Sequence, residues 1–96
     1  MNIGATIVEL RKEKSLRQGV LAKMAGITQA SMSQIENGNT KRPSNNSLAP
    51  ICKGLGISVA ELHVFALDSD DYPAKHKERY EIILPAIKSL LKSIRN

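Results

Sequence analysis

Apolar residues in this chain recur at the three- and four-residue spacings of an α-helix, and glycine cuts the recurrence at Gly26, Gly38 and Gly56. Helices interrupted so often are short and must pack on one another to be stable. Ile3, Ile7 and Leu10 share the first face, with Glu9, Arg11, Lys12 and Glu13 outside it and Lys14-Ser15 as its end. Val20, Leu21, Met24 and Ala25 predict a second apolar face, stopped by Gly26, because glycine takes positive φ without steric cost. Thr28 is a good N-cap for a third helix over about 28–37, whose end is Asn37-Gly38.

Residues 39–47 read as a basic and polar loop. A fourth helix then presents Leu48, Ile51, Cys52 and Leu55 inward and runs to Gly56. Pro50 is tolerated if Ser47 is the cap, and bends the helix if the start lies nearer Ser44. The fifth helix opens on a capping box, Ser58-Val59-Ala60-Glu61, with Ile57 placed to staple onto Leu62. The pattern predicts an all-α fold: a five-helix domain over residues 1–67.

Ninety-six residues suit one such domain with an appendage, and an aromatic share of only 3% predicts a core of Leu, Ile, Val and Met. After Leu67 the composition changes. Residues 68–73, Asp-Ser-Asp-Asp-Tyr-Pro, form an acidic, turn-rich hinge, and residues 74–96 carry an extra C-terminal helix. In that helix Tyr80, Ile83, Ile87, Leu90 and Ile94 alternate spacings of three and four, the seam of a helix pair, while Leu84 and Leu91 widen the stripe. Pro85 should bend the helix or divide it. The stripe could fold back on its own domain; dimerisation through it is the favoured expectation.

Net charge is +5, and its distribution matters more than its size. Arg11, Lys12, Lys14, Arg17, Lys23, Lys41 and Arg42 crowd one window with only Glu13 and Glu36 against them. Such a window favours a polyanionic partner, although a solvated face alone would also account for it. The lone Cys52 excludes an intrachain disulfide and falls at core spacing. No apolar run approaches the roughly 18 residues of a membrane span, and no secretory pattern opens the chain. A cytoplasmic, non-membrane protein is expected. His63 and His76 lie in different segments, with no Cys or carboxylate cluster at metal-ligand spacing. No enzyme, cofactor or metal is expected.

Residues 18–37 form one unit: apolar Leu21, Ala25, Ile27, Met32 and Ile35, a small Ala22 where two helices would cross, and Gly26 at the turn. Two helices joined in this way are a helix-turn-helix. The unit resembles the lambdoid phage repressor and Cro family, the XRE-type helix-turn-helix proteins, and the likeness spans residues 3–67. The run TQASMSQIENGNTKRP is especially similar to repressor members in its Thr-Gln start, its later Gln, its Glu-Asn-Gly end and its Thr-Lys-Arg-Pro loop.

Gln29, Ala30, Ser33 and Gln34 share the helix face opposite Met32 and Ile35, where amide side chains can bond base edges, adenine above all. Ala30 stands where some relatives carry a second Gln; its methyl suits a thymine methyl. Phosphate contacts are expected from Gln18 and the start of its helix, and from Arg17, Thr28, Asn37, Lys41 and Arg42. The resemblance implies a partly buried ion pair between Arg11 and Glu36. Ser44 replaces an Arg found beyond the Pro in relatives, which removes one expected minor-groove contact. The expected function is a sequence-specific regulator binding double-stranded DNA, a palindromic operator, as a homodimer, more often a repressor than an activator. Alternatives are an antitoxin-like protein whose C-terminal helix holds a protein partner, and a restriction-modification controller protein.

Overall fold

The computed structural model describes residues 1–40 and 43–95. These form six helices and no strand: α1 (Ile3–Glu13), α2 (Gln18–Met24), α3 (Gln29–Glu36), α4 (Asn45–Leu55), α5 (Val59–Ala66) and α6 (Lys77–Arg95). Short 3₁₀ turns, Ser69–Asp71 and Ala74–His76, link α5 to α6.

Local chemistry explains where the helices begin and end. The side chains of Asn2, Thr28, Ser44 and Ser58 each accept a bond from a first-turn amide, satisfying a donor the helix itself cannot. At Ser58 the box is complete, since Glu61 also accepts from the Ser58 amide at 3.1 Å. Gly26, Gly38 and Gly56 take φ of 70°, 77° and 73°, the left-handed turn expected at Gly26 and found also at the helix ends marked by Gly38 and Gly56. Ser15 does the same after α1, at φ 56°.

The core joins all five helices of the first domain: Ile7, Leu21, Met32, Leu48, Ile51, Cys52, Leu55 and Leu62 are fully buried. Helix α2 packs on α3 and α4, while α1 packs on α3 and α5. Two apolar residues expected inside lie outside: Val20 is 47% and Met24 55% exposed. At about 100° per residue, Leu21, Ala22 and Ala25 fill one narrow arc, and Val20 and Met24 share its flank. The closeness of α2 to α4 leaves little width for more; a Cβ on Gly54 would come 2.8 Å from Leu21 Cδ1.

Helix α4 starts at Asn45, with Ser44 as its cap, so residues 45–47 are its first turn rather than loop. Pro50 lies inside an unbroken helix. Pro85 likewise leaves α6 undivided.

The appendage folds back, but with only one side. Leu84 is 5% exposed, and Leu91 packs against the core cluster. Lys88 donates to the Leu67 carbonyl. Lys92 pairs with Glu13 at 2.7 Å and Glu9 at 3.7 Å, and its ammonium lies 5.9 Å from the Phe65 ring centroid. Its bond with Glu13 holds the Lys92 ammonium above its ordinary pKa. Residues 68–73, expected as a hinge, are an ordered turn: Asp68 and Asp71 cap it, and Tyr72 stacks on Tyr80 with centroids 3.6 Å apart. Leu84 and Leu91, expected on a partner-facing stripe, are therefore largely engaged by their own chain. Ile83, Ile87, Leu90 and Ile94 remain outward, 40% to 79% exposed. Among the described residues no single helix is long and apolar enough to cross a membrane.

Candidate nucleic-acid interface

Helix α3 has two chemically distinct sides. Met32 is wholly buried and Ile35 is 7% exposed, whereas Gln29, Ala30 and Gln34 are exposed and Ser33 is half-buried. The Thr28 hydroxyl fixes the start by accepting from the Ser31 amide at 3.0 Å. The outer side therefore carries amides and a methyl on a rigid support.

The support is a linked polar network. Glu36 has 3% of its side chain exposed and takes two bonds from Arg11, Nε to Oε2 at 2.9 Å and Nη2 to Oε1 at 3.0 Å. This forked pairing is the geometry a guanidinium makes best with a carboxylate. Arg11 Nη1 also donates to the Leu16 carbonyl at 2.9 Å, which ties the α1–α2 connection into the same unit. The Arg11–Glu36 pair stands where the resemblance implied it.

Gln18 extends the network to the outer side, a role the sequence reading did not assign it. Its Nε2 donates to Glu36 Oε1 at 3.0 Å, and its Oε1 accepts from Gln29 Nε2 at 3.4 Å. A continuous chain of contacts thus runs from the buried ion pair to the exposed amide of Gln29. The only sequence signal for it was the three polar residues themselves; which faces they shared depended on how α2 crosses α3.

The other expected contacts are distributed around this side. Arg17 precedes α2 as its N-cap residue without a side-chain capping bond, and it is exposed. Asn37 is exposed at the end of α3, where its Nδ2 donates to Ser33 Oγ at 3.3 Å. That bond engages Ser33 with its own helix. Ser44 is occupied in capping α4, accepting from the Ser47 amide at 3.2 Å. Lys41 and Arg42 lie outside the described residues.

Gly4 was missed, and it matters to the placement of α3. A Cβ there would come 2.4 Å from the Ile35 carbonyl oxygen and 2.7 Å from that of Glu36. The start of α1 thus touches the backbone at the end of α3. A glycine in a helical first turn, against the helix propensity, was the available signal.

Among the described residues no group of His, Cys, Asp and Glu is placed to hold a metal. Cys52 is 1% exposed, and burial pushes its thiol up to about 11. A thiol so shielded is a packing group rather than a nucleophile.

Comparison with known families gives a match to a model described as helix-turn-helix, over residues 7–62. The matched span runs from the middle of α1 into α5. No solved structure matches the chain.

Proposed function

This chain belongs to the XRE-type helix-turn-helix family of DNA-binding regulators, Cro- and C1-like, and from that premise we propose that it is a transcriptional repressor, acting in the cytoplasm as a homodimer on a palindromic operator. The observation that carries the reading is the exposed face of α3. Gln29, Ala30 and Gln34 stand outward on a helix whose opposite side is locked into the core by Met32, Ile35 and Glu36. Docked in a major groove, that face offers amides to adenine edges and a methyl to thymine. Gln18, Arg17, Thr28 and Asn37, with Lys41 and Arg42, would hold phosphates on either side.

Homodimerisation draws support from the outward stripe of α6. Ile83, Ile87, Leu90 and Ile94 leave an apolar face uncovered by the chain's own fold, at the spacing that pairs helices. Two copies would present two α3 helices to half-sites about 34 Å apart, one turn of the duplex. The test is selection of bound duplexes from a random pool at two salt concentrations. An enriched palindrome with half-sites one turn apart supports the proposal; salt-sensitive binding with no enriched sequence removes it.

Gln34→Ala is expected to relax base preference at one position in each half-site, by about 1–3 kcal/mol of discrimination, with preferences elsewhere retained. Comparing enriched operators for the two proteins checks this, and unchanged preference would take Gln34 out of the readout. Ile87→Asp should leave the domain folded, since Ile87 is 40% exposed, and halve the particle mass measured by sedimentation.

The same uncovered stripe favours one second reading, an antitoxin-like protein whose α6 binds a different protein. Sedimentation separates the two. A stable dimer that Ile87→Asp dissociates supports the homodimer; a monomer with the stripe intact supports the protein partner.

A further inference from the structure

Gly19 is the second residue of α2, and nothing in its backbone calls for glycine. Its φ is not among the left-handed values, which among the glycines belong to Gly26, Gly38 and Gly56. Alanine is the better helix former there, so the residue is unfavourable for α2 itself. What surrounds the missing Cβ is informative: the three nearest heavy atoms would be Gln29 Oε1 at 3.1 Å, Cδ at 3.4 Å and Nε2 at 3.8 Å. All belong to one amide. No backbone or core atom is nearer, so a methyl at this position would press on the Gln29 head group first.

We propose that Gly19 is a positioning residue for base readout: the missing side chain at Gly19 leaves the room in which the Gln29 amide lies. The inference depends on Gln29 being a base-contacting residue, as argued above. Two constraints then define the amide's place. Gln18 Oε1 accepts from its nitrogen at 3.4 Å, and its oxygen and carbon lie 3.1 and 3.4 Å from the place a Gly19 Cβ would take. A 3.4 Å bond alone is too weak to hold a side chain that rotates about three bonds. The room left by the missing Cβ therefore lets the amide keep the position in which that bond is made. Adding a methyl shifts the amide outward by a few tenths of an ångström and turns it. Two-point bonding to a base edge is intolerant of such a shift, whereas phosphate contacts made by other residues are not affected.

The test is selection from a randomised operator with the full-length protein, Gly19→Ala, Gln29→Ala and the double variant, with thermal unfolding of each measured in parallel. Gly19→Ala is expected to reduce discrimination roughly fivefold to tenfold at the base position that Gln29→Ala also relaxes, a share of what a two-point amide contact supplies. Preference at the Gln34 position should be retained, the unfolding temperature should not fall, and the double variant should match Gln29→Ala alone. The proposal is overturned if Gln29→Ala relaxes a position that Gly19→Ala leaves unchanged. It is equally overturned if Gly19→Ala weakens all sequences alike and lowers the unfolding temperature, the mark of a merely structural residue. Should Gln29→Ala itself alter no base preference, the base-contact reading falls first and takes this inference with it.

Discussion

Glu36→Ala is expected to cost the domain about 3–5 kcal/mol, because it strands a buried guanidinium. The Arg11 side chain is 12% exposed and spends two of its donors on Glu36. With the carboxylate gone, its bond to the Leu16 carbonyl is the only one left among the described residues, and water reaches the charge poorly. A small domain holds roughly 5–15 kcal/mol in all, so the loss consumes much of its stability. Gln18 loses its acceptor in the same step, which frees the amide that braces Gln29. Denaturant unfolding gives the number directly, and a loss under about 1 kcal/mol would show the pair to be dispensable. The companion variant Arg11→Met with Glu36→Leu removes both charges together and should recover most of the stability, since the penalty lies in the unpaired charge.

The second large effect is expected of Gly4→Ala. Elsewhere in a helix this change would gain up to about 1 kcal/mol from reduced backbone entropy. Here the new methyl would stand 2.4 Å and 2.7 Å from two carbonyl oxygens of α3. Neither oxygen belongs to a flexible side chain, so α1 and α3 must separate or the methyl must bend away. Overpacking of this kind costs about 3 kcal/mol, a fall in Tm on the order of 10 °C for a domain this small. Since the displaced backbone carries Glu36, operator affinity should fall with it. A Tm equal to that of the parent would mean the two helices have room that the geometry denies them.

The helix ends were legible in the sequence because capping and glycine stops are local chemistry. Thr28, the Ser58–Glu61 box and the three left-handed glycines needed no knowledge of the fold. The inward face of α3 was also legible, since Met32 and Ile35 are its only large apolar residues. Positions decided by how two helices meet were not. Val20 and Met24 are as apolar as core residues, yet the narrow contact of α2 leaves them outside. Ser44 and Ser47 were both chemically fit to cap α4, and nothing local distinguishes them. The appended helix could be read as amphipathic, but its sequence did not reveal that Lys88 and Lys92 fasten one side to Leu67 and Glu13. The Gln18–Glu36 bond joins residues 18 apart along the chain, and only the crossing of α2 over α3 brings them together.

Cys52 gives the domain an internal clock. The chain has a single sulfhydryl, wedged in the core at 1% exposure and protonated well beyond neutral pH. A thiol reagent can therefore reach it only in molecules that have transiently opened, and each molecule can be marked once. The rate of marking counts excursions from the native state, without denaturant or heat. Because α4 holds this residue against the same core that seats α3, the tick of that clock measures how often the support beneath the outward face of α3 comes apart.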